Sequence, residues 1–118
     1  MQQIFVELYN YAPAWAKCSE NERADYIKKI IEAVSGMKAA GVDVIAYGKN
    51  ARETDRRAPY DFFCVYRVPN VEVQREFEQQ VAASGWYEYF EQVNVSGDAN
   101  DFEAVLLGNA RMVRPASS

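Results

Sequence analysis

Glu7 interrupts the apolar run IFVELY (residues 4–9) between Val6 and Leu8. A carboxylate in the middle of a strand face is costly to remove from water unless it is paired. Without a cation, such a group acquires a raised pKa and becomes a general base able to take a proton from a carbon acid. The alternatives are an ion pair with Arg67 or Lys49, or a place on the exposed rim of the fold. A second concentration of chemistry is GWYEYFEQVN (85–94), which packs Trp86, Tyr87, Tyr89 and Phe90 closely together. Asn94, between Val93 and Val95, carries an amide that needs a buried partner or a ligand.

Trp86 and Tyr89 either plug the end of a helix–sheet layer or form one wall of a pocket, with Asn94 close by. The hydroxyls of Tyr9, Tyr47 and Tyr66 can hydrogen-bond a ligand carbonyl or phenolate. Equally, they can pair with one another across a subunit seam. Phe62 belongs with them as apolar lining, and Trp15, in APAW, is a lid or an anchor for its loop. Glu7, Tyr47, Tyr66 and Asn94 are thus the candidate catalytic groups, and Tyr9, Trp15, Phe62, Trp86 and Tyr89 the candidate substrate contacts. Asp61 and Arg67 read as rim residues. Cys64, flanked by Phe63 and Val65, reads as a buried, unreactive thiol. Cys18 lies near a helix start but has no base to support it as a nucleophile.

The sequence contains no histidine. That excludes a Ser-His-Asp triad and any zinc, iron or haem site held by histidine. Proton transfer falls to carboxylates, tyrosines, lysines or water. No metal or cofactor is expected. A net charge of −4 argues against nucleic acid and anionic membranes as partners. No apolar run is long enough to span a bilayer, and the start MQQIFVELYN lacks the pattern of a signal peptide. The two cysteines form no C-x-x-C motif. Together these features lead us to expect a cytoplasmic chain with free thiols.

The elements that must position these groups can be read from the pattern. The 118 residues, 49% hydrophobic and 25% charged, fit one globular domain over 1–112, with a loose tail at 113–118. A first strand spans 4–9, followed by a connector at 11–15 broken by Pro13. Ser19 and Glu22 form a capping box for a first helix with Ile27, Ile30, Ile31, Val34 and Met37 as its buried stripe and Gly41 as its stop. Strands follow at 42–48 and 60–68, joined by a polar loop. Asn70 caps a second helix carrying Val73, Phe77 and Val81, and Gly85 ends it. A short turn at 86–90 leads into a fourth strand near 91–96. DFEAVLLGNARM (101–112) reads as a last helix.

This β-α-β-β-α-β order is the ferredoxin-like split βαβ pattern, α+β, with two helices on one face of an antiparallel sheet. The other face is expected to carry Phe5, Tyr9, Tyr47, Phe62 and Tyr66. Such an apolar face suggests closure by a two-fold homodimer. The element order, the stretch Phe-Phe-x-Val-Tyr-Arg-Val-Pro and the segment Ser-Gly-Trp-x-x-Tyr-Phe-x-x-Val-Asn resemble small bacterial proteins of the dimeric α/β-barrel superfamily. That superfamily includes antibiotic-biosynthesis monooxygenases, muconolactone isomerases, polyketide cyclases and haem-using enzymes. The resemblance implies a homodimer with a small-molecule pocket between helices and sheet. It also suggests a cofactor-independent isomerase, cyclase or monooxygenase acting on a hydrophobic, aromatic or polyketide-like substrate. A non-catalytic dimeric binding or regulatory protein with a filled interior is the alternative. Fold alone does not choose between them.

Overall fold

A computed structural model describes residues 2–111. The expected domain limit at 112 and the tail at 113–118 lie outside the described residues. The elements are β1 (Gln3–Tyr11), α1 (Pro13–Lys17), α2 (Glu20–Gly36), a 3₁₀ turn (Met37–Ala40), β2 (Asp43–Lys49), β3 (Phe62–Val68), α3 (Val71–Ala83), α4 (Trp86–Tyr89), β4 (Phe90–Asp98) and α5 (Phe102–Asn109). The strands form one antiparallel sheet in the order β2-β3-β1-β4. The α+β ferredoxin-like reading therefore holds.

Local chemistry accounts for the boundaries. The Ser19 hydroxyl accepts from the Glu22 amide, while the Glu22 carboxylate accepts from the Ser19 amide, closing the capping box. Gly41, in the left-handed region at φ 98°, stops the 3₁₀ turn that extends α2. Pro13 does not merely break a connector. It starts the short helix α1, where its missing N–H is no loss. The segment 86–90 is likewise helical in its first turn rather than a plain turn.

The faces of the sheet are the reverse of the expected ones. Burial alternates along β1 and β3, so that Phe5, Glu7, Tyr9, Phe62, Cys64 and Tyr66 are all buried beneath the helices. Tyr47, 52% exposed, lies on the same face because a bulge between Val44 and Ala46 shifts the parity of β2. The physical reason is reach. The long rings span the gap to α3, as in the edge-on contact of Phe5 with Phe77 at 6.2 Å. The uncovered face carries mostly branched aliphatics instead, with one ring: Ile4, Val6 and Leu8 on β1, Phe63 and Val65 on β3, and Val93 and Val95 on β4. It is as apolar as the face first expected there.

The α2 stripe is shallower than its spacing predicts. Met37 is buried, Ile27, Ile30 and Val34 are half-buried, and Ile31 is 60% exposed. The helix stands off the sheet and leaves space beneath it. The expected final helix forms as α5, with the Asp101 carboxylate capping the Ala104 amide. All of its residues are exposed.

Candidate functional site

Antiparallel register places Glu7 beside Cys64 on one neighbouring strand and Asn94 on the other. Tyr47 pairs with Cys64, so Tyr47, Cys64, Glu7 and Asn94 form one row across the sheet. The adjacent row holds Phe62, Tyr9 and Gln92. Beyond the end of α3, Gly85 adopts φ 81°, a conformation that an L side chain resists, and the chain turns so that Trp86 is buried against the sheet. Trp86 stacks on Phe90 at 4.0 Å and meets Tyr9 edge-on at 5.5 Å.

Glu7 is only 2% exposed. The Tyr9 hydroxyl donates to Oε1. Gln92 Nε2 donates to Oε2 at 2.7 Å. The Gln92 amide is itself fixed: its Oε1 accepts from Trp86 Nε1 at 2.9 Å, and its Nε2 also donates to Asn94 Oδ1 at 2.8 Å. A chain of side-chain hydrogen bonds thus runs from the Trp86 indole through Gln92 to the carboxylate.

Among the described residues no cation pairs with Glu7. Arg67, one of the two expected partners, lies on the opposite face and faces Asp43 at 3.8 Å. Lys49 forms no ion pair among the described residues. Burial pushes the Glu7 carboxyl above its ordinary value; hydrogen bonds from Tyr9, Gln92 and Tyr66 oppose that rise, and the charge of Glu78 adds to it. The Tyr9 and Tyr66 hydroxyls are pushed up by burial and then by the adjacent Glu7 charge, which keeps them protonated as donors. Burial pushes the Cys64 thiol up to about 12, and the side chain is fully buried, as an inert thiol should be.

The space under α2 is a cavity of about 610 Å³. Its floor includes Glu7, Tyr9, Phe62 and Tyr66, and Trp86 and Phe90 close one end. Trp15 lies at a wall and Tyr47, 52% exposed, at the mouth. Ile27, Ile30, Val34 and Met37, together with Phe77 and Val81 of α3, form the roof. No lysine or arginine is among the lining residues.

Two expected site residues fall elsewhere. Tyr89 is not part of the lining; it packs among Trp15 and Tyr26 at 5.5 and 4.9 Å, so it anchors α1 and α2 rather than touching the cavity. Asn94 is exposed and outside the lining, and it meets the site only through Gln92. Gln92 is the residue that sequence reasoning missed. It lies two positions before Asn94 on the same strand face, and that parity was the available signal. Among the described residues no group of three or more histidine, cysteine or carboxylate side chains is placed to hold a metal.

Residues 2–112 match the sequence pattern of a family of unknown function (DUF6616). The chain belongs to that family. No curated protein matches it. Among solved structures it is similar to a dimeric ferredoxin-like protein of unknown function from Thermobifida fusca, at 17% identity and a TM-score of 0.48, over 82% of this chain and 90% of the other. It is also similar to 30S ribosomal protein S6 from Thermotoga maritima, at 14% identity and a TM-score of 0.42, over 96% and 100% of the two chains. No helix among the described residues is long and apolar enough to cross a membrane.

Proposed function

We propose that this chain is a homodimeric small-molecule-binding protein and that its cavity is a catalytic pocket for a hydrophobic, aromatic or polyketide-like substrate. The observation that carries the reading is Glu7. It is a carboxylate without a cation partner among the described residues, on the floor of an apolar cavity large enough for a bicyclic or tricyclic ligand. Its raised pKa suits it to take a proton from a carbon next to a carbonyl. Tyr66 and Tyr47 stand within the same cavity to polarise the substrate oxygen, while Trp86 and Phe62 give the pocket its shape. The reaction class is enolisation, isomerisation, cyclisation or cofactor-independent oxygenation, all of which begin with that proton transfer. Asn94 acts through Gln92 rather than on the substrate.

The homodimer follows from the uncovered sheet face. Ile4, Val6, Leu8, Phe63, Val65, Val93 and Val95 form a contiguous apolar surface, which a two-fold partner covers with the same surface of its own.

The test is solvent deuterium exchange into 2-tetralone, a bicyclic ketone with acidic hydrogens beside its carbonyl. The wild-type protein accelerates exchange above the buffer rate. Glu7→Gln binds the ketone but loses the acceleration. Equal exchange by the two proteins would remove Glu7 as the base.

A further inference from the structure

We infer that the cavity selects uncharged ligands bearing an O–H or N–H donor at the end that meets Glu7, and that it rejects anions of the same shape. This inference deepens the proposed function and rests on its reading of the cavity as a ligand site. Two observations carry it. First, the charge in the lining is one-sided: among the described residues Glu7 is its only carboxylate, and no lysine or arginine lines it to balance an incoming anion. A ligand carboxylate or sulfonate would lose its hydration and meet a like charge in a medium that screens poorly. Second, the Glu7 carboxylate has unused acceptor capacity. Two carboxylate oxygens offer about four lone-pair directions. Tyr9 takes one on Oε1 and Gln92 one on Oε2. Tyr66 leans on the same group. At least one direction remains for a ligand donor.

The neighbouring groups strengthen this selection. Tyr9 and Gln92 are committed to Glu7, and Gln92 is held in orientation by the Trp86 indole. A ligand anion cannot recruit these donors without stripping them from Glu7. A neutral donor such as a phenol or enol leaves every bond in place and adds one. The discrimination is therefore of the strong kind, in which a wrong ligand leaves buried polar groups unpaired.

The test uses three naphthalenes of nearly equal size at pH 7.5: 2-naphthol, a neutral donor; 2-methoxynaphthalene, neutral without a donor; and 2-naphthoate, an anion. Each is titrated into the full chain, with binding followed by displacement of the neutral fluorophore N-phenyl-1-naphthylamine. The expected order of affinity is 2-naphthol, then 2-methoxynaphthalene, then 2-naphthoate, with 2-naphthoate at least tenfold weaker than 2-naphthol. In Glu7→Gln the penalty on 2-naphthoate shrinks. Binding of 2-naphthoate as tight as 2-naphthol would overturn the inference while leaving the cavity as a binding site. Equal binding of 2-naphthol and 2-methoxynaphthalene would overturn its donor half. If none of the naphthalenes or the fluorophore binds, the inference and the proposed function both fail. The wild-type series decides these outcomes even if the variant does not fold.

Discussion

Glu7 governs the residue scale, and its protonation gives a stability signature independent of any substrate. Its carboxyl is raised above the ordinary 4.5 by burial. Below that pH both folded and unfolded chains hold the proton, and no cost of burying charge arises. As pH rises through the folded-state value, the folded chain must ionise a buried group that the unfolded chain has already ionised in water. Stability is therefore lost with rising pH over that window. The unfolding free energy of wild type relative to Glu7→Gln should fall across it, measured by urea denaturation at several pH values; a flat difference would mean that Glu7 titrates normally. Tyr9→Phe removes the donor to Oε1 from a carboxyl group that is only 2% exposed. It should cost about 1–3 kcal/mol at neutral pH, read in the same denaturation experiment. Glu7 itself was legible in the sequence, because a carboxylate between Val6 and Leu8 on a strand is anomalous by pattern alone. The Gln92 link was legible only as a shared strand face with Asn94. A glutamine flanked by Glu91 and Val93 looks like ordinary surface until the register sets it opposite Tyr9.

At the scale of elements, the caps and periodicities were readable because they are local. The Ser19–Glu22 box and the Asn70 cap form as their spacing dictates. Ser19→Ala should lower stability by about 1 kcal/mol, measured as a shift in the denaturation midpoint. The faces of β1 are the reverse of what the pattern suggests, because both are apolar and alternation alone does not say which one the helices cover. That choice is made by packing depth, with most of the rings beneath the helices and mainly branched side chains, plus Phe63, on the outer face. The cavity was also illegible. A stripe at helical spacing says that α2 turns one face inward but not how far it stands from the sheet. Because α2 roofs the cavity with half-buried rather than buried side chains, a bound ligand should stiffen it. Amide hydrogen exchange in α2 is expected to slow on saturation with 2-naphthol, while exchange in α5, which does not line the cavity, stays unchanged. Uniform slowing, or none in α2, would place the ligand elsewhere.

For the whole molecule, the radius of gyration is 16.4 Å. A compact chain of this length would give about 13 Å. The last helix, α5, leaves Phe102 and Leu107 74% and 71% exposed. With the outer sheet face also uncovered, the single chain leaves much apolar surface in water, which is the physical case for self-association. Val65→Lys places a charge in the centre of that face without touching the helix-covered core. In sedimentation velocity it should turn a dimer into a monomer; an unchanged sedimentation coefficient would move the interface elsewhere. Of the five residues that the strand pattern places on the open face, Tyr9, Tyr47, Phe62 and Tyr66 instead line the cavity and Phe5 packs against α3.

The most direct test of the central claim is a crystal structure of the protein grown with 2-naphthol. The expected result is ligand density between α2 and the sheet, with the naphthol oxygen within hydrogen-bonding distance of the Glu7 carboxylate and the rings against Phe62 and Trp86. A structure in which α2 has closed onto the sheet, filling the interior with its own side chains and excluding the ligand, would contradict the account.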